Sequence, residues 1–431
     1  MKELVITLET ISPLAIRSDH AQGGSQSAQY ISGTTLMGSL ASTFKFTRQG
    51  QEKEFADLFL SGAVQYPNLY PALFADSGLQ DAGTPVYPLP KTAQSCKRFS
   101  GFKRSYRDDD ETRHGVRDTL IDWALYSMQS APEDKRLKVM DDCKECSECH
   151  SPMDHFTGYY RRAATDPKEI ISAKIDLRLQ THTGINRRTG TVQQRILYNR
   201  EVLEEGMRFW GVLKIDDELA RTLEPDNDVA ETLEAFIDEV GHAGLVRVGT
   251  GRTRGLGKVL LSLTRADDGQ NTFEQFKDRL MAFNRMMHEQ ANTFNIPLPD
   301  KFYFAVTLHA PTILRDDLLR YEGTLTAARL AQLASVGQDS NLPADTFELI
   351  YQAASGRHIA GWSELWGTPK ANDYAIDTDS VFLFACRLEP DDDTLLRMLY
   401  AMEQRGIGQR RAEGFGRILI SDPFHREVKM L

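Results

Sequence analysis

The sequence predicts an α+β protein of tandem ferredoxin-like domains carrying glycine-rich loops and, in the first half, a cysteine-bearing insertion. Three observations predict it. An alternating strand opens the chain and the same pattern starts again near residue 301; a glycine-rich loop with a basic centre follows an amphipathic helix in each half; and a cysteine cluster interrupts the first half alone. Strand, helix, strands, helix, loop and strand, twice over, is the order of a sheet that lays two helices on one face and leaves the other open. An open sheet of that kind serves as an RNA platform in other proteins.

In the opening segment Glu-Leu-Val-Ile-Thr-Leu, residues Leu4, Ile6 and Leu8 share one face, the period of a half-buried strand, and Pro13 ends it. The segment Tyr30-Ile-Ser-Gly33-Thr-Thr-Leu36-Met-Gly38 then reads as a glycine turn leading into a helix that Thr34 or Thr35 caps. Lys301-Phe302-Tyr-Phe304-Ala-Val306-Thr-Leu308, with Pro311 behind it, repeats the opening. The domains implied are residues 1–265, with an insertion at about 85–160 and a basic hairpin at about 178–200, and residues 301–431. A helical run between Phe273 and Phe294 lies in a connector at 266–300.

Each half closes on a glycine loop. The first is Gly249-Thr-Gly251-Arg252-Thr-Arg254-Gly255-Leu-Gly257-Lys258, and the second is Gly406-Ile-Gly408-Gln-Arg410-Arg411-Ala-Glu-Gly414-Phe-Gly416-Arg417. Glycines on both sides of a basic centre let the backbone take positive φ and approach a ligand that the arginines hold, which suits a polyanion. A dinucleotide fingerprint needs a strand before and a helix after; here the order is reversed, which excludes a Rossmann site. Paired glycine for glycine, the second loop is two residues longer between Gly408 and Gly414 than the first between Gly251 and Gly255.

The net charge of -10 excludes a surface that attracts nucleic acid everywhere, so local distribution decides. Between residues 174 and 200 six cations oppose Asp176 alone, a net of +5. Within it, His182-Thr-Gly184-Ile-Asn186-Arg187-Arg188-Thr-Gly190 has the composition of a hairpin tip. Arg187 and Arg188 suit phosphates, Asn186 a base edge or 2′-hydroxyl, and His182 or Tyr198 a stacked base. An exposed, solvated hairpin has the same composition. Acidic residues gather elsewhere, at 216–239 and 389–393, as solvated faces and turns.

Cys143-x-x-Cys146-x-x-Cys149-His150, with Cys96 upstream, offers thiolates at zinc-knuckle spacing. The expected set is Cys96, Cys143, Cys146 and Cys149, with His150 as a substitute, closing a structural zinc site. An iron-sulfur cluster is the rival, although the fourth cysteine and its proline are missing. Cys386, in an apolar run, reads as a core thiol. No apolar run is long enough for a membrane span, and residues 1–4 lead into a strand rather than a signal peptide, so the expectation is a soluble, cytoplasmic protein without a membrane partner.

With both glycine loops, the turn at Gly33, the segment from His182 to Gly190, Pro88-Leu-Pro-Lys-Thr-Ala-Gln-Ser-Cys96-Lys97, the cysteine cluster and Ile359-Ala-Gly361-Trp362, the chain resembles the CRISPR-associated RAMP superfamily over nearly its full length. More closely, it looks like the two-domain Csx-type subunit of type III-D effector complexes. The resemblance implies tandem RRM-like folds, a CRISPR guide RNA and other type III subunits as partners, and target RNA met indirectly. It also implies a group-five role at the 5′ repeat-derived handle of the guide. RAMP ribonucleases that work without metal place a histidine near the first helix, where His20 is the candidate. The alternatives are therefore an endoribonuclease acting on precursor CRISPR RNA and a protein-only scaffold. Asp19 and Asp108-Asp-Asp-Glu111 offer carboxylates for a metal-dependent nuclease, but the run sits among alternating charges typical of a solvated loop.

Overall fold

The computed structural model describes residues 1–17, 26–73, 84–103, 113–129, 136, 139, 142–143, 149–163, 169–186, 188–223, 228–266, 271–338, 341–363, 368–387 and 393–428. His20, Asp19, residues 108–111, Cys146 and Arg187 lie outside the described residues. The fold is mixed α and β with several antiparallel sheets. Among the described residues no helix is long and apolar enough to cross a membrane.

The opening strand Lys2–Thr10 lies at the centre of the first sheet, between Arg208–Ile215 and Val259–Arg265. The short strands Val64–Gln65 and Tyr70–Pro71 pair with the outer side of Arg208–Ile215. Counted along the chain, the sheet order is fourth, first, third, second, all antiparallel. The alternation sends Leu4, Ile6 and Leu8 to one face, where they meet Phe209, Leu213 and Leu261 and the apolar stripes of helices Gly33–Thr47 and Val229–Gly241. The helix cap is Ser32, ahead of both threonines: its hydroxyl accepts from the Thr35 N–H at 3.3 Å. A hydroxyl just outside the helix, on extended backbone, is better placed for the free N–H groups than one inside it.

The second sheet has the same order, with strands Phe347–Ala353, Val381–Cys386, Phe302–Leu308 and Ile418–Ile420 side by side. Helices Ala327–Ser335 and Thr394–Arg405 bury Leu330, Leu396 and Leu399 against Phe304 and Val306. The expected open face is absent here, because all seven residues of Phe302–Leu308 are buried. The helix Phe273–Thr293 and the insertion's helix Leu120–Met128 cover Tyr303, Ala305, Leu383 and Ala385. The expected connector is thus a 21-residue helix fixed by a capping box at Thr272 and Gln275, with Phe283 and Met287 in the core. Cys386 lies in the core of this half, where burial pushes its thiol up to about 12.

The halves are joined through the second glycine loop. Tyr66 N–H donates to Ala412 O at 3.0 Å, and the Thr34 hydroxyl reaches a Glu413 carboxylate oxygen at 3.3 Å. At Gly33 a Cβ would stand 2.5 Å from Tyr66 O and 2.6 Å from Glu413 O, so only glycine admits this docking.

Candidate metal centre and nucleic-acid interface

In the insertion, strand Ala93–Cys96 lies between Val116–Asp118 and Met153–His155. This places Cys96 at a strand end, His114 two residues before the neighbouring strand, and Cys143 and Cys149 in the segment that returns to the third. Their ligand atoms, three sulfurs and one imidazole nitrogen, all lie within 4.8 Å of one another. Cys96 Sγ is 3.5 Å from Cys149 Sγ, and His114 Nδ1 is 3.1 Å from Cys143 Sγ. Around a tetrahedral zinc the corresponding separations are about 3.8 Å between sulfurs and about 3.6 Å between nitrogen and sulfur, so the donor set fits such an ion. Burial disfavours the Cys96 thiolate, but hydrogen bonds from the backbone of Phe99 and Arg98, with the neighbouring thiols, outweigh it and hold the pKa below the usual thiol value. Cys96, Cys143 and His114 are buried, as suits a structural site.

Sequence reasoning found three of these four donors and missed His114. It stands 29 residues before Cys143, and only strand pairing brings it near. His150, the expected substitute, is exposed and not among the clustered donors.

The two glycine loops have the same backbone. In the first, Thr250 N–H donates to Ala15 O, Gly257 N–H to Pro13 O and Val248 N–H to Gly257 O. In the second, Gln409, Gly416 and Ile407 repeat these bonds to Ile313, Pro311 and Gly416. The equivalence pairs Gly249 with Gly408, Gly251 with Arg410, Gly255 with Gly414 and Gly257 with Gly416, a constant offset of 159 residues. The loops are thus equal in length, and the two-residue difference disappears: Arg410, at φ 57, takes the left-handed place of Gly251, at φ 77, and Gly406 lies before the repeat. The approach to backbone is why glycine recurs. A Cβ at Gly249 or Gly408 would lie 2.4 Å from the carbonyl oxygen of Ala15 or Ile313.

Their surroundings differ. In the second loop Arg410 pairs with Asp373 at 2.7 Å and with Glu413 at 2.8 Å, and stacks over Phe415. Arg411 donates to Arg405 O at 3.3 Å, and Arg417 reaches Gln65 O at 3.4 Å. Burial lowers the pKa of Arg411, and that of Arg417 to about 10. This loop faces the first half of the protein.

The first loop meets the hairpin instead. Strands Leu177–Ile185 and Val192–Leu203 pair antiparallel, with a bulge between Thr183 and Ile185, and set His182 opposite Tyr198 and Gln180 opposite Arg200. The His182 and Tyr198 rings stack at 5.2 Å, and Arg254 donates to the Tyr198 hydroxyl at 3.1 Å. Arg252 is bent back onto Gly249 O at 3.1 Å, while Arg254 and Gly255 are exposed. Arg200 lies against Gly251, where a Cβ would meet its guanidinium at 2.9 Å. Lys258 lies at the far end of the loop, its N–H bonded to the Ser12 hydroxyl. Asn186 shapes the hairpin turn, accepting from Arg188 N–H at 2.9 Å and from Gly190 N–H on its carbonyl. The structure therefore links His182, Tyr198 and Arg254 and sets Arg200 against the same loop, with Arg252 turned back onto the loop backbone, whereas Arg410, Arg411 and Arg417 lie in the second loop, apart from them.

The family model described as the RAMP superfamily matches residues 7–260. No curated protein matches the chain. Among solved structures, a chain of the type III-B Cmr-beta bound to cognate target RNA aligns at 14% identity and TM-score 0.40, covering 96% of each chain. A chain of the same assembly bound to cognate target RNA and AMPPnP aligns at 13% identity and TM-score 0.37, covering 88% of this chain and 86% of that one. Oligomeric Cmr4 from Pyrococcus furiosus aligns at 13% identity and TM-score 0.27, covering 62% of this chain and 100% of its own. These scores are those of remote likeness, whereas the family match spans more than half of the chain. On that match, the chain belongs to the RAMP superfamily.

Proposed function

We propose that this RAMP protein is a noncatalytic RNA-binding subunit of a type III CRISPR ribonucleoprotein, of the type III-D kind, which holds the guide RNA at its 5′ repeat-derived handle and contacts neighbouring subunits. The observation that carries the reading is the Arg254–Tyr198 contact, which unites the first glycine loop with the hairpin in one exposed cationic and aromatic surface. Guanidinium groups suit phosphates, and the stacked His182 and Tyr198 rings offer a platform for bases. The matching β-α-β-β-α-β order of the halves supports tandem ferredoxin-like domains. We assign zinc to the four-donor site, as a structural ion that would staple the insertion through Cys96, His114, Cys143 and Cys149.

The test is a band-shift titration of the full, zinc-loaded chain with labelled repeat-derived RNA in buffer without added magnesium or other divalent cation. Binding should weaken steeply with salt, and the Arg252→Ala/Arg254→Ala double variant should reduce the log-log salt slope by about 2, one for each phosphate that is no longer neutralised. Cleavage of that RNA, abolished in His20→Ala, would replace this reading with the endoribonuclease. Unchanged RNA affinity with loss of subunit assembly on charge reversal at Arg252 and Arg254 would replace it with the scaffold.

A further inference from the structure

A cavity of about 740 Å³ lies between the two halves, lined on one side by the face of the first sheet turned away from its helices and on the other by the end of the second half. Alternate residues of strand Arg208–Ile215, Trp210, Val212 and Lys214, form part of its wall. At about 3.3 Å per residue, Trp210 and Lys214 stand roughly 13 Å apart along the strand. Tyr87 and Arg417 also line it.

The charges at this wall are unevenly satisfied. Lys214 is paired with Glu3 at 3.2 Å, Arg279 with Glu403 at 2.7 Å, and Asp422 with His309 at 2.8 Å. Among the described residues Arg417 has no carboxylate within ion-pairing distance, Glu3 acting on it only from farther off, and its hydrogen bond to Gln65 O is long, at 3.4 Å. It keeps accessible surface although protein surrounds it, as a side chain facing an internal cavity does. A cation set deep in protein is costly unless something anionic meets it. At the other end Trp210 is only 7% exposed, and its indole N–H has no acceptor among the described residues. Such an orphaned donor calls for an occupant or a rearrangement. The cavity falls within the range of small-molecule sites and pairs an aromatic end with a cationic one.

We propose that this cavity binds a mononucleotide unit, its phosphate held by Arg417 and Lys214 and its base against Trp210 and Tyr87. Two sources share this chemistry: a free nucleoside monophosphate and the terminal nucleotide of an RNA strand. The site is separate from the surface at Arg254 and does not depend on RNA binding there.

The experiment is isothermal titration of the full chain with AMP, with adenosine, with inorganic phosphate, and with a five-nucleotide RNA bearing a terminal phosphate. AMP should bind at one site, with adenosine and phosphate each more than tenfold weaker. Arg417→Gln and Trp210→Phe should each weaken AMP more than tenfold, whereas Arg252→Ala/Arg254→Ala should leave it unchanged. Competition of the oligonucleotide with AMP identifies an RNA end as a source; AMP binding without competition identifies the free nucleotide. Should Arg417→Gln fail to fold, Trp210→Phe carries the decision, with thermal unfolding as the control for its integrity. Absence of binding by AMP and the oligonucleotide alike, or binding indifferent to the folded variants, overturns the proposal.

Discussion

Arg410 shows how one residue changes the use of a repeated loop. Where the first copy has Gly251, the second has a side chain at φ 57, a conformation that costs an ordinary residue of order 1 kcal/mol or more. Asp373 and Glu413 hold it there. Arg410→Ala keeps the unfavourable backbone and removes one cation shared by two carboxylates, leaving Asp373 to Arg315 and Glu413 to Lys370, so it should destabilise by about 1–2 kcal/mol, read as the shift in urea unfolding. Arg254→Ala, at an exposed position bonded to a tyrosine hydroxyl, should change stability by less than about 0.5 kcal/mol while weakening RNA binding. The same scale applies to the metal. His114→Ala removes one of four donors, so metal analysis of the purified chain should fall well below one zinc per molecule, and chelator should lower the unfolding temperature of the parent but not of the variant.

At the scale of elements, the contact between the second loop and the opening helix is one of the places where the halves dock. Gly33→Ala would drive a methyl into two backbone carbonyls, neither of which can swing away like a side chain. It should cost about 1–3 kcal/mol and raise protease cleavage between the halves, whereas Gly38→Ala, with open space around it, should be neutral or slightly stabilising. The turn at Gly33 was legible as a helix start because glycine and hydroxyl residues signal it locally. Its role as a docking face was not, because Glu413 lies 380 residues away.

For the whole molecule, a buried polar chain ties the insertion, the second sheet and the C-terminal segment together. His425 Nδ1 meets Asp118 at 2.9 Å and its Nε2 meets the Thr307 hydroxyl at 2.9 Å, while Asp422 accepts from His309 at 2.8 Å and from the Tyr160 hydroxyl at 3.2 Å. Burial works against a charged His425, but Asp118, by charge and hydrogen bond, and then Asp422 raise its pKa above the ordinary value. Burial likewise opposes the Asp422 carboxylate, yet His309, His425 and the Phe424 N–H bring it down to about 2. The raised histidine contributes stability that is complete below its unfolded value near 6.5 and is lost as pH rises through the folded pKa. The depressed aspartate contributes above its unfolded value near 3.9 and loses this as pH falls toward 2. The unfolding temperature should therefore be highest between about pH 4 and 6.5, and His425→Gln should flatten the alkaline limb while weakening the acid limb only in part, because His309 and the Phe424 N–H still hold Asp422 down.

Residue order alone carries what short-range chemistry can specify: the alternation of the two opening strands, the glycines demanded by backbone approach, the thiols at knuckle spacing and the basic hairpin. Those signals lie within a few residues of one another, where covalent geometry and periodicity act directly. Tertiary structure alone decided which surfaces meet. It added His114 to the cysteines, aligned the loops by a 159-residue offset that spacing between glycines had obscured, and covered the second sheet on both faces. It also enclosed Arg417 between the halves while leaving Arg254 in the open. Two loops of one backbone differ in this way because burial and charge pairing belong to what packs against a segment, and a local sequence does not encode that.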